Sequence, residues 1–219
     1  MVLDQDRDVA RPRKRSGEPL TPTHDKIVGV ATQLFLETGY AGTSINAVAR
    51  AAGIQKASLY HHFESKEALL FACFQGGYAE TVARMREVAN DEKLTFEQRL
   101  DRVLDEVYNG VVFSDAGKMV AVVAETTGRI PEVAQRFNDE FIEEMHEIFN
   151  AFAEAGMTAG AFDTFDLDAL DHALFGVAVN LTLCRSMFVR IPALDQRYDV
   201  ATVKAQHRLI LRKLLGLEG

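Results

Sequence analysis

Apolar positions recur at helical spacing along almost the whole chain. Between Thr23 and Thr38, Ile27, Val30, Ala31, Leu34 and Phe35 fall at i, i+3, i+4, i+7 and i+8, one face of an amphipathic helix, with Gly39 as its C-terminal stop. Thr43 or Ser44 offers an N-cap to a second helix whose inner positions are Ile45, Val48, Ala49 and Ala52. Gly53 breaks that helix, Ile54 plugs the gap, and Lys56 to His62 forms a third helix with Leu59 and Phe63 facing in. Ser65 caps a fourth, carried by Leu70, Phe74, Tyr78, Val82 and Met85 towards Asn90. Gly76 and Gly77 in its middle read either as close helix packing or as a bend point.

Phe96, Leu100, Val103, Leu104, Val107 and Val111 mark a fifth helix, followed by a turn at Asp115 to Gly117. Lys118 to Thr127 is nearly all apolar, so this sixth helix is expected to be buried on most sides. Pro131 suits the first turn of a seventh, with Phe137, Phe141, Met145, Ile148 and Phe152 on its inner face, ending near Gly156. After a loop from Gly156 to Phe165, Asp166 or Asp168 starts an eighth helix, apolar nearly all round from Ala173 to Leu183, and Pro192 ends that segment. The last helix spans Val200 to Leu215, with one apolar row through Val203, Ile210 and Leu214 and another through Leu211 and Leu215. No strand pattern of useful length and no internal repeat is evident. The expected fold is all-α, with about nine helices divided into a disordered arm over 1–22, a three-helix head over 23–68 and a larger helical body over 69–219.

Composition narrows the class. The 219 residues are 47% apolar and 26% charged, as in a soluble globular protein. The net charge of −8 is uneven: residues 1–70 hold nine Lys/Arg against eight Asp/Glu, and the rest holds 15 against 24. A near-neutral head on an acidic body fits contact with nucleic acid through one end. Arg11, Arg13, Lys14 and Arg15 form a basic cluster in the arm, either a solubilising tail or an arm that touches phosphates. Cys73 and Cys184 have neither metal-type nor redox-type spacing. The apolar run from Ala173 to Val179 falls far short of the roughly 18 residues of a membrane span. The charged N-terminus lacks the apolar core of a signal peptide. A cytoplasmic protein with no membrane partner is the expectation.

A helix, a short turn containing Gly and a second helix make a helix-turn-helix, whose second helix enters the major groove of DNA with its N-terminal residues at base edges. Those residues are Gln55, Lys56, Ala57 and Ser58. Lys donates to guanine, Gln brackets adenine, and a small Ala meets a thymine methyl. Tyr60, His61 and His62 carry hydroxyl and ring N–H groups suited to phosphate oxygens. Lys66 adds a charge at the next helix start, and Thr43 and Ser44 contribute from the front of the first motif helix.

The strings ATQLFLETGYAGTSINAVARAAGI and SLYHHFESKEALL make residues 25–70 resemble the DNA-binding domain of the TetR family of bacterial transcriptional regulators. The resemblance covers about a fifth of the chain. It implies phosphate contacts at Thr43, Ser44, Tyr60 and His62, base contacts at Asn46, Lys56, Ala57 and Ser58, and a backbone clamp at Lys66. Gln55 departs from the pattern, which usually has Ser or Thr as the N-cap of the recognition helix. Gln55 therefore either caps poorly or faces DNA.

The resemblance also implies a repressor whose body binds a small apolar or amphipathic effector and forms a homodimer through the last two helices, so that effector binding shifts the fourth helix and releases a double-stranded, palindromic DNA operator. The eighth helix supports a dimer independently, since an apolar surface all round needs a partner or a cavity on its second side. An effector pocket among helices four to eight would draw on Phe74, Tyr78, Phe113, Met119, Phe141, Met145 and Phe175, with Tyr108, Asn109, His146, Asn180 and Cys184 as polar options. Arg129 and Arg185 are available to an acidic ligand. No cofactor or catalytic residue is expected. Two rival readings stand: a helical metalloenzyme built on Glu143-x-x-His146, for which no second such motif exists, and a DNA-binding regulator without a small-molecule effector.

Overall fold

A computed structural model describes residues 22–188, 191 and 199–217. The basic cluster of the arm and Pro192 lie outside the described residues. All regular structure among the described residues is helical. In chain order it comprises α1 (Pro22–Gly42), α2 (Ile45–Ala52), α3 (Lys56–His62), α4 (Lys66–Ala89), α5 (Phe96–Val107, continuing through a π-helical stretch Tyr108–Phe113) and α6 (Asp115–Thr126). Then come α7 (Pro131–Phe137, through a π-helical stretch Asn138–Ile142 into Glu143–Thr158), α8 (Leu167–Phe188) and α9 (Val200–Leu214).

One long helix, α1, and two short ones, α2 and α3, make the head. Ile27, Ala31 and Phe35 put a fully buried stripe on α1, and Val48 and Ala52 of α2 and Leu59 of α3 close over it. The predicted punctuation appears at each junction. Ser44 Oγ accepts the Ala47 N–H at 3.1 Å and starts α2. Gly53, at φ +70°, ends it: Ile54 N–H reaches back to the Ala49 carbonyl at 3.0 Å, a closure that favours glycine because of the positive φ. Ser65 Oγ accepts the Ala68 N–H at 3.0 Å to start α4.

Helix α4 runs unbroken from head to body. It packs on α1, α5, α6 and α7. Helix α6 lies inside the body, against α1, α4, α7 and α8, with Ala116, Gly117, Met119, Val122, Val123 and Thr126 buried. The predicted turn at Asp115 to Gly117 is instead the first turn of α6. Ser114 Oγ accepts the Gly117 N–H at 2.8 Å, so an N-cap, followed by Asp115, begins the helix where Asp and Gly read as a turn.

The glycine pair in α4 divides. A Cβ at Gly77 would stand 2.5 Å from Ala116 Cβ of α6, whereas at Gly76 it would meet nothing within 4 Å. Gly77 is therefore required for close helix packing, and α4 continues as one helix through the pair. Gly77→Ala is expected to cost about 1–3 kcal/mol through overpacking. Gly76→Ala is expected to add up to about 1 kcal/mol from helix propensity. Urea unfolding of the two variants measures this opposition in sign; equal effects would return the pair to a hinge.

Helices α8 and α9 close the body. Leu170, Leu174, Ala178 and Leu181 of α8 are buried, while Gly176, Asn180 and Met187 remain exposed. By length and composition α8 is apolar enough to cross a membrane, with a window hydropathy of 1.3 that the seven-residue run from Ala173 to Val179 does not reveal. Its buried side is nevertheless protein core. On α9, Leu211 and Leu215 point in, and of the other predicted row Ile210 is exposed. His207 is buried between α5 and α8. Its Nε2–H donates to the Ala173 carbonyl at 2.8 Å, which leaves Nδ1 to accept from the Tyr108 hydroxyl at 3.2 Å. Burial pushes the His207 pKa down and that of Tyr108 up to about 12, so both are neutral at physiological pH.

Candidate nucleic-acid interface

The helix-turn-helix presents one continuous polar face. Leu59, fully buried, and Phe63, at 5% exposure, anchor α3 and its exit to the head core. With that side fixed, Gln55, Lys56, Ala57, Ser58, Tyr60 and His61 are exposed, as are Ser44 and Asn46 on α2. His62 is half-buried, 6.0 Å from the His61 ring and 6.4 Å from that of His24. Tyr60 is 46% exposed, and the Lys56 ammonium lies 5.7 Å from its ring centroid. The two are neighbours at i, i+4 on the outer side.

Gln55 occupies the N-cap position by backbone, at φ −74° and ψ 149°, but its side chain makes no cap hydrogen bond. The residue is exposed, and its amide is not engaged as a cap. The arrangement offers a bidentate amide, an ammonium, a methyl and a hydroxyl on consecutive residues at the start of a helix, a set that can read base edges.

Two expected contacts turn inward instead. Thr43 is only 3% exposed, and its hydroxyl is shared among the Leu34 carbonyl at 3.1 Å, the Gly39 carbonyl at 2.8 Å and Thr38 Oγ1 at 2.9 Å. It ties α2 to the end of α1. Lys66 donates to the Tyr40 carbonyl and lies 3.9 Å from the Tyr40 ring centroid, and burial lowers its pKa. It braces the head and is not extended as a clamp. Lys26 of α1 also reaches this face. It brings its ammonium close to the Gly53 turn. Nothing in its helical spacing distinguishes it, because only the folded crossing of α1 over the turn puts it there.

The expected pocket residues do not converge on a cavity. Phe74, Tyr78 and Phe141 pack with Phe71 and Phe137, ring centroids 4.9–6.4 Å apart, and fill the space between α4 and α7. Met119 and Met145 are core, and Tyr108 is held by His207. Phe175 stacks on His146 at 4.9 Å. Asn109, Phe113 and Asn180 are exposed, Phe113 at 55%. Open space lies elsewhere. A groove of about 570 Å³ runs between the end of α4, the start of α5 and α7, where Phe96, Ile148 and Phe152 meet Arg86 and Arg99. The Arg99 guanidinium stacks 3.9 Å from the Phe96 centroid. A cleft of about 290 Å³ lies among Leu36, Val112, Lys118, Thr182, Arg185 and Ser186.

The Glu143/His146 pair does not form a metal centre. Glu143 accepts from Asn138 Nδ2 at 2.9 Å, and His146 Nδ1 faces the buried carboxylate of Asp171 at 3.2 Å. Burial raises the Asp171 pKa against the opposing pull of His146. Among the described residues no group of three His, Cys, Asp or Glu side chains converges to hold an ion.

Residues 27–73 match the model of the tetR family of bacterial regulatory proteins. The chain is 28% identical over 145 residues, 65% of its length and 69% of the relative's, to the HTH-type transcriptional repressor KstR2 of Rhodococcus jostii. It is 38% identical over 66 residues to the HTH-type transcriptional regulator UidR of Escherichia coli, covering 30% of the chain but only 34% of UidR. Over nearly the whole chain, solved structures show a likeness of fold. The transcriptional regulator FadR of Bacillus subtilis, solved in complex with stearoyl-CoA, superposes with a TM-score of 0.71 at 20% identity, covering 88% of this chain and 99% of FadR.

Proposed function

We propose that this chain, whose residues 27–73 match the tetR family of bacterial regulatory proteins, is a DNA-binding transcriptional repressor that binds a near-palindromic operator as a homodimer and is released by a small amphipathic effector. One observation carries the DNA part: Gln55, Lys56, Ala57 and Ser58 stand exposed at the start of a helix whose other side is locked by Leu59 and Phe63. A two-fold dimer sets two such helices about 34–36 Å apart, one turn of DNA, which is why the operator is expected to be a near-palindrome.

The exposed Met187 of α8 and Leu209 and Ile210 of α9 support dimerisation through those helices. The effector class draws on two of the open spaces: the groove sets Arg86 and Arg99 beside the carboxylates Glu92 and Glu147, and the cleft sets Lys118 and Arg185 beside Leu36 and Val112 with no carboxylate in its lining. The lining of the cleft suits an anionic amphiphile. FadR was solved with stearoyl-CoA, which makes that thioester the first probe.

Selection of bound DNA from a random pool tests the reading. Enrichment of an inverted repeat is the expected result, and failure to enrich any such repeat sinks it. Titration of stearoyl-CoA into the selected complex then tests release, and the effector can weaken DNA binding only as far as it prefers the non-binding state.

A further inference from the structure

Tyr40 lies in the last turn of α1, just past a kink at Gly39, and groups from α4 and α6 hold it. Its backbone N–H donates to Glu125 Oε2 at 2.9 Å, and the next N–H, that of Ala41, donates to Glu125 Oε1 at 3.2 Å. One carboxylate near the end of α6 therefore closes over two successive amides of the head, each bond assisted by its charge. The Tyr40 carbonyl accepts from Lys66, and its phenol donates to Glu67, both on α4.

Gly39 completes the seat. Its φ of +72° belongs to the left-handed region, and a Cβ there would stand 2.6 Å from Glu125 Oε2. Both the backbone turn and the space for the carboxylate need a glycine. At the other end of α6, Asp115 Oδ2 accepts from Gln33 Nε2 of α1 at 3.1 Å. Helix α6 thus grips α1 at both ends, and α2 and α3 follow directly from the gripped segment.

We propose that Glu125 is a positioning residue for operator binding, the side chain through which the body sets the angle of α2 and α3 without touching DNA. The inference rests on the DNA-binding reading above. Glutamine cannot substitute: its amide has a single acceptor oxygen, and its NH2 would face the second backbone N–H donor to donor. Glu125 is exposed, so its replacement leaves the core packing intact.

The test uses the full chain and the operator it selects. Glu125→Gln and Gly39→Ala are each expected to speed amide exchange at Tyr40 and Ala41 and to weaken operator binding about tenfold, the scale of a lost charge-assisted hydrogen bond. The double variant is expected to be little weaker than either single, because both disable one seat. Thr95→Ala serves as the control for stability alone. It removes the capping box of α5, away from the head, and is expected to lower the melting temperature with operator affinity unchanged. Glu125→Gln with native exchange, with affinity within twofold of native, or with no more loss than Thr95→Ala would overturn the role. A native chain that selects no DNA defeats the DNA reading and this role with it; a native chain that selects an operator, with Glu125→Gln binding equally well, defeats this role alone.

Discussion

Lys56→Ala together with Tyr60→Ala is expected to weaken operator binding by at least about thirty-fold, while the folded head survives. The magnitude follows from symmetry. A single contact to a base or phosphate is worth about 1–3 kcal/mol, and each substitution in a homodimer removes it from both half-sites. Even at about 1 kcal/mol per contact, loss of one contact in each half-site costs about 2 kcal/mol, roughly thirty-fold. The fold is expected to survive because both side chains are exposed and the anchoring contacts belong to Leu59 and Phe63. Salt dependence separates the roles of the two residues. A cationic side chain on phosphate lowers the slope of log affinity against log salt by about one per protomer and weakens all sequences alike, whereas a neutral phenol on phosphate weakens all sequences alike and leaves the slope unchanged. A side chain on a base leaves most of that slope and relaxes the preferred base at one position in each half-site. Fluorescence anisotropy at several salt concentrations, on the selected operator and on scrambled DNA, reads both. Affinity within twofold of native would remove α3 from the interface.

What was legible from sequence follows a physical division. Positions whose burial is dictated by periodicity came out as expected: Ile27, Ala31, Phe35, Leu59 and Phe63 all lie inside. So did positions needing a special backbone, such as Gly53 at φ +70°. The errors fall where a residue has a choice of partner. Thr43 carries the right chemistry for a phosphate contact, but two carbonyls and the Thr38 hydroxyl inside the head engage its hydroxyl. Lys66 is long enough to reach outward, and the Tyr40 carbonyl and ring hold it inward. The expected pocket residues divide for a related reason. Apolar spacing says that Phe74, Tyr78 and Phe141 face the interior, but not whether they line a space or fill it, and here the rings fill it against one another. Glu125 carried no signal at all, since its partners are backbone amides more than eighty residues away.

The same choice between inside and outside governs α9, whose two sides differ enough to be broken separately. Its inner side is fixed by Leu211 and Leu215 and by the neutral His207 bridge from Ala173 to Tyr108. A ladder of ion pairs adds to this along α5. Lys204 meets Asp105 at 2.8 Å, Arg208 meets Asp101 at 3.2 Å and Asp105 at 2.8 Å, and Arg212 meets Asp101 at 3.4 Å and also Glu97. These contacts hold the helix on its own chain whether or not a second copy is present. The outer side carries Leu209 and Ile210, 48% and 52% exposed. Covering such side chains is worth about 1.5–3 kcal/mol each at full burial. Leu209→Glu with Ile210→Glu is therefore expected to yield a folded monomer. Light scattering reports the mass, circular dichroism the unchanged helicity, and the melting temperature loses its dependence on protein concentration. Operator binding is expected to fall by about 10²–10⁴-fold, because a monomer holds one half-site without the effective concentration that linkage gives the second. A variant that stays dimeric would move the interface off α9, and a monomer that binds the full operator as tightly as the native chain would show that the two heads do not act together.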